Sequence, residues 1–373
     1  MRVVVAPDKF KGCLTAAEVA DAVAEGLLAE RPDLDVLRVP IADGGDGTVA
    51  AALSRGFREV VTEAAGPTGI PGRVSYARDS DQAVIELASV CGLDRLPDRK
   101  SDPLGASTYG LGEVIHHAVE NGVGEIVLGI GGSASTDGGA GMVEALGARL
   151  LDGGGANIPR GGAPLASLRS LDLSGLRQTV GNTRVVVASD VDNPLLGPRG
   201  AAPVFGPQKG ASPKDVRQLE DGLTRWAQIV AEAVGRDYAD EPGAGAAGGT
   251  GFAALALLGA ELRPGIELIL EFLRFDEVVA GAGLAITGEG SLDEQSLSGK
   301  APIGVAQAAR SAGVPVVAVA GRNGLTQDQL RRAGIVAAHP LSDLEPDPAR
   351  SMANAAALLR KVGRRIAAQQ LGR

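Results

Sequence analysis

The sequence predicts an α/β protein of two domains, one built around a parallel sheet from both ends of the chain and one inserted between them as a mixed α/β unit. Its 373 residues are too many for a single average core and enough for two domains of ordinary size. Both ends alternate short β-branched runs with helical segments, which is the pattern of a parallel sheet. Between them, residues 58–86 alternate in a way that is typical of antiparallel strands.

The N-terminal elements follow from the apolar runs and the residues that flank them. Residues 1–6 form a short apolar strand. Thr15, with Glu18 three residues later, is a capping box that begins a helix extending to about Glu30. A second strand is expected over Asp35–Pro40. This order places any site at the carboxyl ends of the strands.

The same periodicities predict the remaining elements. The further strands are Glu59–Glu63, Gly72–Ala77, Ala83–Leu87, Glu125–Leu128, Arg184–Ala188, Leu284–Thr287, Val314–Ala320 and Ile335–Ala338. The further helices begin at Thr48, Met142 and Arg350 or cover Tyr109–Glu120, Pro213–Val234, Gly251–Gly259, Pro302–Ser311 and Thr326–Ala333. A loop is expected after Thr287. By composition alone, the Gly-, Ala- and Asp-rich segment 237–251 is either flexible filler or an ordered glycine loop.

The protein is acidic and poor in aromatic residues. A net charge of -9 and a pI of about 5.0 argue against nucleic acid or an anionic membrane as partner, and 3% aromatic residues leave little surface for base stacking. No apolar run approaches the length of about 18 residues that a membrane span needs, and the N-terminal run is too short for a signal peptide. Cys13 and Cys91 lack zinc-like spacing, so we expect a cytoplasmic protein with reduced thiols.

The stretch Gly129–Gly141 is the strongest candidate for an anion site. It follows a predicted strand and precedes a predicted helix, so its N–H groups would lie where the helix dipole attracts negative charge. It also carries two hydroxyls and the carboxylate of Asp137, which a tight turn does not need. A bound phosphate is the first interpretation, and a purely structural loop is one alternative. Another is a dinucleotide fingerprint, carried by Gly129, Gly131, Ala134 and Asp152.

Five polar, glycine-bearing loops each follow a predicted strand. They are Asp8–Lys11, Asp43–Thr48, Gly129–Gly141, Asp190–Asn193 and Thr287–Asp293. Their positions in both halves of the chain suggest a shared cleft between two domains. They supply more carboxylates than turns require, namely Asp8, Asp43, Asp46, Asp137, Asp190, Asp192, Glu289 and Asp293. The lysines suited to meet an anion are Lys9, Lys11, Lys209 and Lys300.

Carboxylates, lysines and glycine loops together are what phosphoryl transfer requires. Mg²⁺ bridges phosphate oxygens, positive groups offset the developing charge, and a base receives the proton of the attacking hydroxyl. The chain has no Gly-x-x-x-x-Gly-Lys-[Ser/Thr] motif, because Lys300 is followed by Ala301, and it has no His-Arg-Asp catalytic loop. It is therefore unlike the Walker-type NTPases and the protein kinases.

Seven motifs together resemble the type I glycerate kinase family. They are Ala-Pro-Asp-Lys-Phe-Lys-Gly (6–12), Ala-Asp-Gly-Gly-Asp-Gly-Thr (42–48), Gly-Ile-Gly-Gly-Ser-Ala-Ser-Thr-Asp-Gly-Gly-Ala-Gly-Met (129–142), Ser-Asp-Val-Asp-Asn-Pro-Leu (189–195), Phe-Gly-Pro-Gln-Lys-Gly-Ala (205–211), Gly-Ala-Gly-Ala-Ala-Gly-Gly (243–249) and Thr-Gly-Glu-Gly-Ser-Leu-Asp-Glu-Gln-Ser (287–296). The matches run in order over nearly the whole chain. The departures are Cys13 where Ser is usual, Thr136 where Asn is usual and Asp46 where Glu is common.

The resemblance implies ATP-dependent phosphorylation of D-glycerate to 2-phosphoglycerate, with ATP and Mg²⁺ as cofactors. The implied fold is a flavodoxin-like domain, here residues 1–62 plus 283–373, and an inserted mixed α/β domain, residues 63–282, with the active-site cleft between them. The glycine segment 237–251 then belongs to the site region. The expected partner is the small molecule D-glycerate, with no nucleic acid and no membrane, and the protein is expected to be a monomer or a homodimer.

Under this interpretation Asp190 is the general base or a metal anchor. The other predicted catalytic residues are Lys11, Asp293 and Asp137, the last meeting Mg²⁺ or the glycerate hydroxyl. The predicted metal ligands are Asp43, Asp46 and Asp190, and the predicted cofactor-binding residues are Gly131, Gly132, Ser133, Lys209, Gly290 and Lys300. Two alternatives stay open: a nucleotide-cofactor oxidoreductase acting on a small hydroxy acid, and a non-catalytic protein that binds glycerate or nucleotide.

Overall fold

The computed structural model describes residues 1–42, 45 and 47–371. Within this part of the chain the strands are β1 (Arg2–Pro7), β2 (Asp35–Arg38), β3 (Arg58–Ala65), β4 (Pro71–Asp79), β5 (Gln82–Glu86), β6 (Glu125–Gly129), β7 (Arg149–Leu151), β8 (Ser170–Asp172), β9 (Arg184–Ala188), β10 (Glu261–Arg263), β11 (Leu284–Leu292), β12 (Val316–Asn323) and β13 (Ile335–Pro340).

The helices of the same described residues connect these strands. They are α1 (Ala16–Glu30), α2 (Thr48–Ser54), α3 (Leu87–Cys91), α4 (Tyr109–Glu120), α5 (Ala140–Ala145), α6 (Ser174–Val180), α7 (Ala201–Phe205), α8 (Pro213–Val234), α9 (Ala246–Leu258), α10 (Gly265–Phe272), α11 (Phe275–Val279), α12 (Ala301–Ser311), α13 (Gln327–Arg332), α14 (Pro348–Ala353) and α15 (Ala355–Gln370). Single 3₁₀ turns occur at Leu93–Arg95, Pro97–Arg99, Ala163–Ser167, Pro207–Lys209, Ser296–Ser298 and Leu341–Asp343.

The chain divides into two compact units. Unit 1 comprises Met1–Asp43, Ala50–Arg55 and Ile266–Arg373, and unit 2 comprises Gly44–Val49 and Gly56–Gly265. Unit 1 is thus made from both ends of the chain, and most of unit 2 is one continuous insertion.

The sheet of unit 1 has the strand order β13-β12-β11-β1-β2, and every neighbouring pair is parallel. Side chains of β1 alternate between two cores. Val3 and Val5 pack with residues of α1 and α15, whereas Val4 and Ala6 pack with residues of α12. Because helices cover both faces, the strands are continuous apolar runs in the sequence. The order is that of a flavodoxin-like, doubly wound sheet.

The main sheet of unit 2 is mixed and has the order β10-β9-β6-β5-β4-β3. The strands β5, β6, β9 and β10 are parallel, and β3 and β4 extend the sheet as antiparallel strands. A separate antiparallel pair is formed by β7 and β8. The predicted fold class, a flavodoxin-like parallel sheet from both chain ends plus an inserted mixed α/β unit, is confirmed.

The strand β11 continues to Leu292, so the predicted loop after Thr287 is wrong. Its parallel pairing with β12 persists until Leu292 lies opposite Asn323. A Cβ atom on Gly288 would lie 2.3 Å from the carbonyl oxygen of Val319. The glycines that signal a loop in the sequence are therefore residues that let two strands approach closely.

The glycine-rich segment 237–251 is ordered, so its interpretation as flexible filler is wrong. The Leu195 N–H donates a hydrogen bond to the carbonyl of Ala239 at 2.8 Å, and the Gly245 N–H donates to the carbonyl of Asn193 at 2.8 Å. Helix α9 then begins through a short stretch of left-handed backbone. Backbone hydrogen bonds therefore fix this segment to the loop that follows β9.

The single final helix expected from Arg350 is divided into α14 and α15. The division falls at Asn354, whose φ of -113° and ψ of 15° are not helical and whose side-chain amide donates to the carbonyl of Arg350 at 2.9 Å. Among the helices of the described residues, none is both long enough and apolar enough to cross a membrane.

Candidate active site

The parallel strands β5, β6, β9 and β10 of unit 2 end at one edge of its sheet. The loop 130–139 follows β6, and the loop 189–193 follows β9. Open α/β sheets bind ligands at the carboxyl ends of their parallel strands. Most of the site residues predicted for this part of the chain therefore lie where the fold favours a ligand.

The loop after β6 has a conformation that requires glycine. Gly132, Gly138 and Gly139 have φ angles of +75°, +64° and +74°. Residues other than glycine rarely adopt these backbone conformations. A Cβ atom on Gly131 would lie 2.8 Å from the Cα atom of Gly45, so a larger residue would clash there. Gly131 and Gly132, the predicted phosphate positions, thus let the loop pack closely against Gly45 and Ala88.

Asp137 is fully buried beneath this loop. Its Oδ2 accepts hydrogen bonds from the Thr108 N–H at 2.7 Å, the Thr108 hydroxyl at 2.9 Å and the Ser107 hydroxyl at 3.1 Å. The N–H groups of Gly139 and Gly141 each lie 3.3 Å from the carboxylate. Five protein donors thus surround the buried carboxylate. This placement disagrees with the predicted contact of Asp137 with Mg²⁺ or the glycerate hydroxyl, because its oxygens already bind the loop and the N-terminus of α4.

Lys209 reaches the buried side of the same loop. Its Nζ donates hydrogen bonds to the Ser133 hydroxyl at 2.7 Å and to the carbonyl oxygen of Ser135. Burial lowers the pKa of Lys209 to about 7, and the negative charge of Asp137 acts in the opposite direction. The sequence predicts that Lys209 neutralises the phosphates or the substrate carboxylate. The structure instead places its ammonium group in the interior of unit 2, where only 3% of the residue is exposed.

Two further hydroxyls of the loop, Ser135 Oγ and Thr136 Oγ1, are buried without a hydrogen-bond partner among the described residues. The left-handed start of α9 packs against them. A Cβ atom on Gly248 would lie 2.2 Å from the Ser135 carbonyl oxygen and 2.9 Å from Lys209 Nζ. The Gly138 N–H donates to the Gly248 carbonyl at 2.9 Å. The glycine segment at the start of α9 therefore packs against the buried side of the loop, and we call it the floor of the loop.

Asp190 follows β9 and is exposed. Its Oδ1 accepts a hydrogen bond of 2.8 Å from the Gly265 N–H at the start of α10. Asp192, two residues later, is also exposed and forms an ion pair of 3.0 Å with Arg199. Asp190 is thus oriented by the backbone while it stays open to solvent, which suits a base that must reach the hydroxyl of a small substrate.

The strand order of unit 1 reverses between β1 and β11, which is where doubly wound sheets bind ligands. Asp8 directly follows β1 and Glu289 lies in β11, and each is only 8% exposed. The Asp8 N–H donates to the carbonyl of Gly288 at 2.8 Å. A Cβ atom on Gly290 would lie 3.6 Å from the backbone nitrogen of Lys11. Gly290 and Lys11, both predicted site residues, are therefore neighbours beside two buried carboxylates.

Hydrogen bonds hold Asp293 in place after β11. The Ser291 hydroxyl donates to Asp293 Oδ2 at 3.2 Å, and the Arg322 Nε–H donates to the Ser291 hydroxyl at 2.9 Å. The Asp293 N–H donates to the Ser296 hydroxyl at 3.0 Å, and that hydroxyl donates in turn to Glu289. Asp293 is partly exposed, so a fixed carboxylate is available at this edge of unit 1.

The remaining predicted residues have different surroundings. Lys11 is exposed, whereas Lys300 is half-buried at the N-cap position of α12 and follows Gly299, whose φ is +99°. Asp43 and Asp46 lie outside the described residues. Within residues 1–42, 45 and 47–371, no group of three or more His, Cys, Asp or Glu side chains is arranged to hold a metal ion.

Several roles were not apparent from the sequence. Ser107 and Thr108 precede α4 and resemble ordinary helix-start residues, yet their hydroxyls bind Asp137. Glu86 is buried at the end of β5 and accepts a hydrogen bond of 2.6 Å from the Val49 N–H near the start of α2. A carboxylate at the end of an apolar strand was the available signal for Glu86.

Asp152, the acid of the dinucleotide interpretation, lies in the turn after β7. Its Oδ1 accepts hydrogen bonds from the Gly154 N–H at 2.8 Å and the Ala156 N–H at 3.0 Å. It therefore serves a local turn, and the dinucleotide interpretation loses the carboxylate on which it depends.

The chain is similar over nearly its full length to known proteins of one kind. The profile of the glycerate kinase family matches residues 3–371. A glycerate kinase of Halalkalibacterium halodurans is 43% identical over 369 residues, which is 98% of this chain and 97% of that protein. A glycerate 2-kinase of Escherichia coli is 45% identical over 343 residues, which is 91% of this chain and 88% of that protein.

A solved structure has the same fold. A crystal structure from Salmonella typhimurium, described provisionally as glycerate kinase 2, superimposes with a TM-score of 0.85 at 41% identity and covers 100% of this chain and 98% of that one. This protein is therefore an enzyme built from two α/β units. The chain belongs to the glycerate kinase family, so the resemblance of its seven motifs is confirmed.

Proposed function

We propose that this protein transfers the γ-phosphoryl group of ATP to the 2-hydroxyl of D-glycerate, giving 2-phosphoglycerate and ADP. Membership of the glycerate kinase family over residues 3–371 carries the proposal. The Escherichia coli relative that is named a glycerate 2-kinase supports the position of transfer. In this reaction the glycerate oxygen bonds to the γ-phosphorus, the bond to the bridging oxygen of ADP breaks, and the hydroxyl proton moves to a base.

Asp190 is our proposed base. It is exposed, it follows a parallel strand, and the Gly265 N–H orients it through a hydrogen bond of 2.8 Å. A carboxylate in this position can accept the proton of the attacking hydroxyl as the new bond to phosphorus forms. Asp293 offers a second partly exposed carboxylate, fixed by its contacts with Ser291 and Ser296, for contact with the substrate hydroxyls.

The glycine-rich loop is our proposed anion cradle. The N–H groups of Gly131 and Gly132 are proposed to meet the anion, and Ser133 adds a hydroxyl in the same loop. Lys11 and Lys300, together with Gly290, are proposed to approach the phosphates or the glycerate carboxylate. Their positive charges would offset the charge that develops on the transferred group.

Mg²⁺ is the proposed metal, because it bridges phosphate oxygens in kinases and lowers the charge that the nucleophile meets. Such sites usually use one or two protein carboxylates together with the substrate's phosphates. Asp190 is an exposed carboxylate of the described residues that fits this requirement. The predicted ligands Asp43 and Asp46 complete the proposed set.

An assay of ADP release tests the substrate. We expect Mg²⁺-dependent release of ADP with D-glycerate and much slower release with tartronate and lactate, which differ from glycerate at carbon 3. Addition of EDTA should stop the reaction. If no ADP forms with D-glycerate while calorimetry shows that ATP and glycerate bind, the protein is a binding protein and the proposal is wrong.

The product tests the position of transfer. In ³¹P NMR spectra, the phosphorus of a 2-phosphate couples to one neighbouring proton and that of a 3-phosphate couples to two. We expect the 2-phosphate pattern. The 3-phosphate pattern would contradict the assigned position and leave the kinase activity itself intact.

A further inference from the structure

The pair formed by Lys209 and Ser133 has a feature that a simple phosphate cradle does not require. Lys209 Nζ donates to Ser133 Oγ at 2.7 Å from the buried side of the loop. An ammonium group has donors and no acceptor, so the hydroxyl proton of Ser133 cannot be directed back to Lys209. While Lys209 is charged, that proton must therefore be offered to another acceptor.

Among the three hydroxyl residues of the loop, Ser133 is more exposed than Ser135 and Thr136. Ser135 and Thr136 are fully buried, whereas Ser133 keeps a small exposed surface of 5%. The Ser135 carbonyl takes a second hydrogen bond from Lys209, which fixes the ammonium group between the two serines. We therefore take Ser133 as the loop residue whose hydroxyl is offered to a ligand.

We infer that Lys209 is a positioning residue, which holds the Ser133 hydroxyl as a hydrogen-bond donor to an anionic oxygen bound on the loop, and which releases that donor when it loses its proton. A neutral amine has a lone pair, so the Ser133 O–H can then donate to Lys209 and is no longer offered to the ligand. The inference rests on the proposed function only for the source of the anionic oxygen. That oxygen belongs either to a nucleotide phosphate or to the glycerate carboxylate.

The groups that surround the amino group of Lys209 determine the pH at which it loses its proton. The loop 130–139 and the glycine turn at Gly248 both pack against its amino group. Within the described residues, Asp137 is the charged group whose field acts on it. Burial lowers the pKa of Lys209 to about 7 in spite of the opposing effect of Asp137. Binding that depends on the charged form should therefore weaken as the pH rises from about 6 to about 9.

Calorimetric titration with inorganic phosphate tests the inference without any turnover. We expect the wild-type protein to bind phosphate about 10- to 100-fold more tightly than Ser133→Ala at pH 6, because a hydrogen bond to a charged group contributes on that scale. At pH 9 the two proteins should bind phosphate equally tightly, and comparison at each pH removes the change in the charge of phosphate itself. Ser133→Thr, which keeps the hydroxyl, should restore the pH dependence.

The double variant separates positioning from a general structural effect. If Lys209 acts through Ser133, the double variant Ser133→Ala with Lys209→Met should bind phosphate no more weakly than Ser133→Ala alone. Losses that add in the double variant, or equal phosphate binding by wild type and Ser133→Ala at pH 6, would overturn the inference. Lys214→Met, at an exposed lysine near the start of α8, is the control and should leave the pH dependence unchanged.

Kinetics then identify the source of the oxygen. A nucleotide phosphate on the loop predicts that Ser133→Ala raises KM for ATP about 10- to 100-fold and leaves KM for glycerate within about threefold, and a glycerate carboxylate predicts the reverse. Unchanged KM values for both substrates would contradict the role of Ser133. If the wild-type protein forms no phosphoglycerate but shows the pH-dependent binding of phosphate, the proposed function fails and the inference holds.

Discussion

The loop after β6 and the loop after β9 follow neighbouring parallel strands of unit 2, yet they place their carboxylates in opposite environments. Asp137 of the first loop is fully buried and accepts hydrogen bonds from five protein groups. Asp190 of the second loop is exposed and is oriented by the Gly265 N–H. A buried, satisfied carboxylate can fix a backbone, whereas an exposed one can exchange a proton with a substrate. We therefore propose a structural role for Asp137 and a chemical role for Asp190.

Substitution of the exposed acid tests the chemical half of this division and should have the largest effect. Asp190→Asn removes the proposed base but keeps the shape of the side chain. We expect kcat to fall by at least about 100-fold, since a general base contributes about 10²- to 10⁴-fold. Steady-state kinetics with D-glycerate and ATP measure the loss, and circular dichroism checks that the variant is folded.

Asp192→Asn is the matched control, because Asp192 lies two residues away, is exposed and forms a surface ion pair with Arg199. Exposed ion pairs contribute little. Its kcat should stay within about threefold of wild type. Normal turnover by Asp190→Asn, or an equal loss in both variants, would remove Asp190 from the catalytic step.

Substitution of the buried acid tests the structural half. Asp137→Asn replaces an acceptor with an amide that presents donors to the N–H groups and hydroxyls now bound by the carboxylate. Each buried polar group left unpaired costs about 1–3 kcal/mol. We therefore expect a loss of about 2–4 kcal/mol in the free energy of unfolding of unit 2. The single tryptophan, Trp226, reports this unit in urea unfolding, because its indole N–H donates to Gly138 at 3.0 Å.

Asp152→Asn is the control for this prediction. Asp152 also accepts backbone N–H groups, but it does so in a partly exposed turn, where water can replace a lost partner. Its substitution should cost less than about 1 kcal/mol. Equal losses in Asp137→Asn and Asp152→Asn would mean that the burial of Asp137 contributes nothing to the stability of the loop.

The floor of the loop after β6 should be the next most sensitive feature. An alanine at position 248 would need φ near +69° and would place its Cβ 2.2 Å from the Ser135 carbonyl oxygen. Left-handed backbone costs about 1–2 kcal/mol for a residue other than glycine, and overpacking adds about 1–3 kcal/mol. Gly248→Ala should therefore destabilise unit 2 by about 2–5 kcal/mol in the same urea experiment.

Gly155→Ala separates these two contributions. Gly155 has a φ of +81°, but no atom lies within 4 Å of the position that its Cβ would take. Only the conformational cost of about 1–2 kcal/mol is expected. If both glycine variants lose the same stability, the close contact of Gly248 with the loop has no energetic weight.

The sequence could predict features that depend on neighbouring residues, but not features that depend on residues distant in the chain. Capping boxes and apolar periodicity act locally, so the starts of α1 and α8 and the bounds of α4 and β9 agree with the structure. The family motifs identified the loops of the candidate site. The burial of Asp137 and Lys209 was not predictable, because it depends on Ser107, Thr108 and Gly248, which are distant in sequence. Glycine was ambiguous for the same reason, since a close approach of Gly288 to Val319 depends on a partner strand that lies elsewhere in the chain.

The last prediction concerns the charge of Lys209, and the pH dependence of stability that it predicts has a definite sign. Its pKa is about 7 in the folded protein and about 10.5 when the side chain is free in water. Between these values the unfolded chain binds more protons than the folded one, so this group makes stability rise with pH, by at most about 1.4 kcal/mol per pH unit. Below about pH 7 both states are protonated, and the cost of burying the ammonium group is fully present.

Urea unfolding monitored by Trp226 at pH 7, 8, 9 and 10 should therefore give a rising stability difference between wild type and Lys209→Met. The thiol of Cys91, whose pKa burial raises to about 12, titrates with the opposite sign, but it is common to both proteins and cancels in the difference. A difference that stays flat over this range would mean that Lys209 keeps its ordinary pKa, so that its ammonium group stays charged beside the loop up to about pH 10.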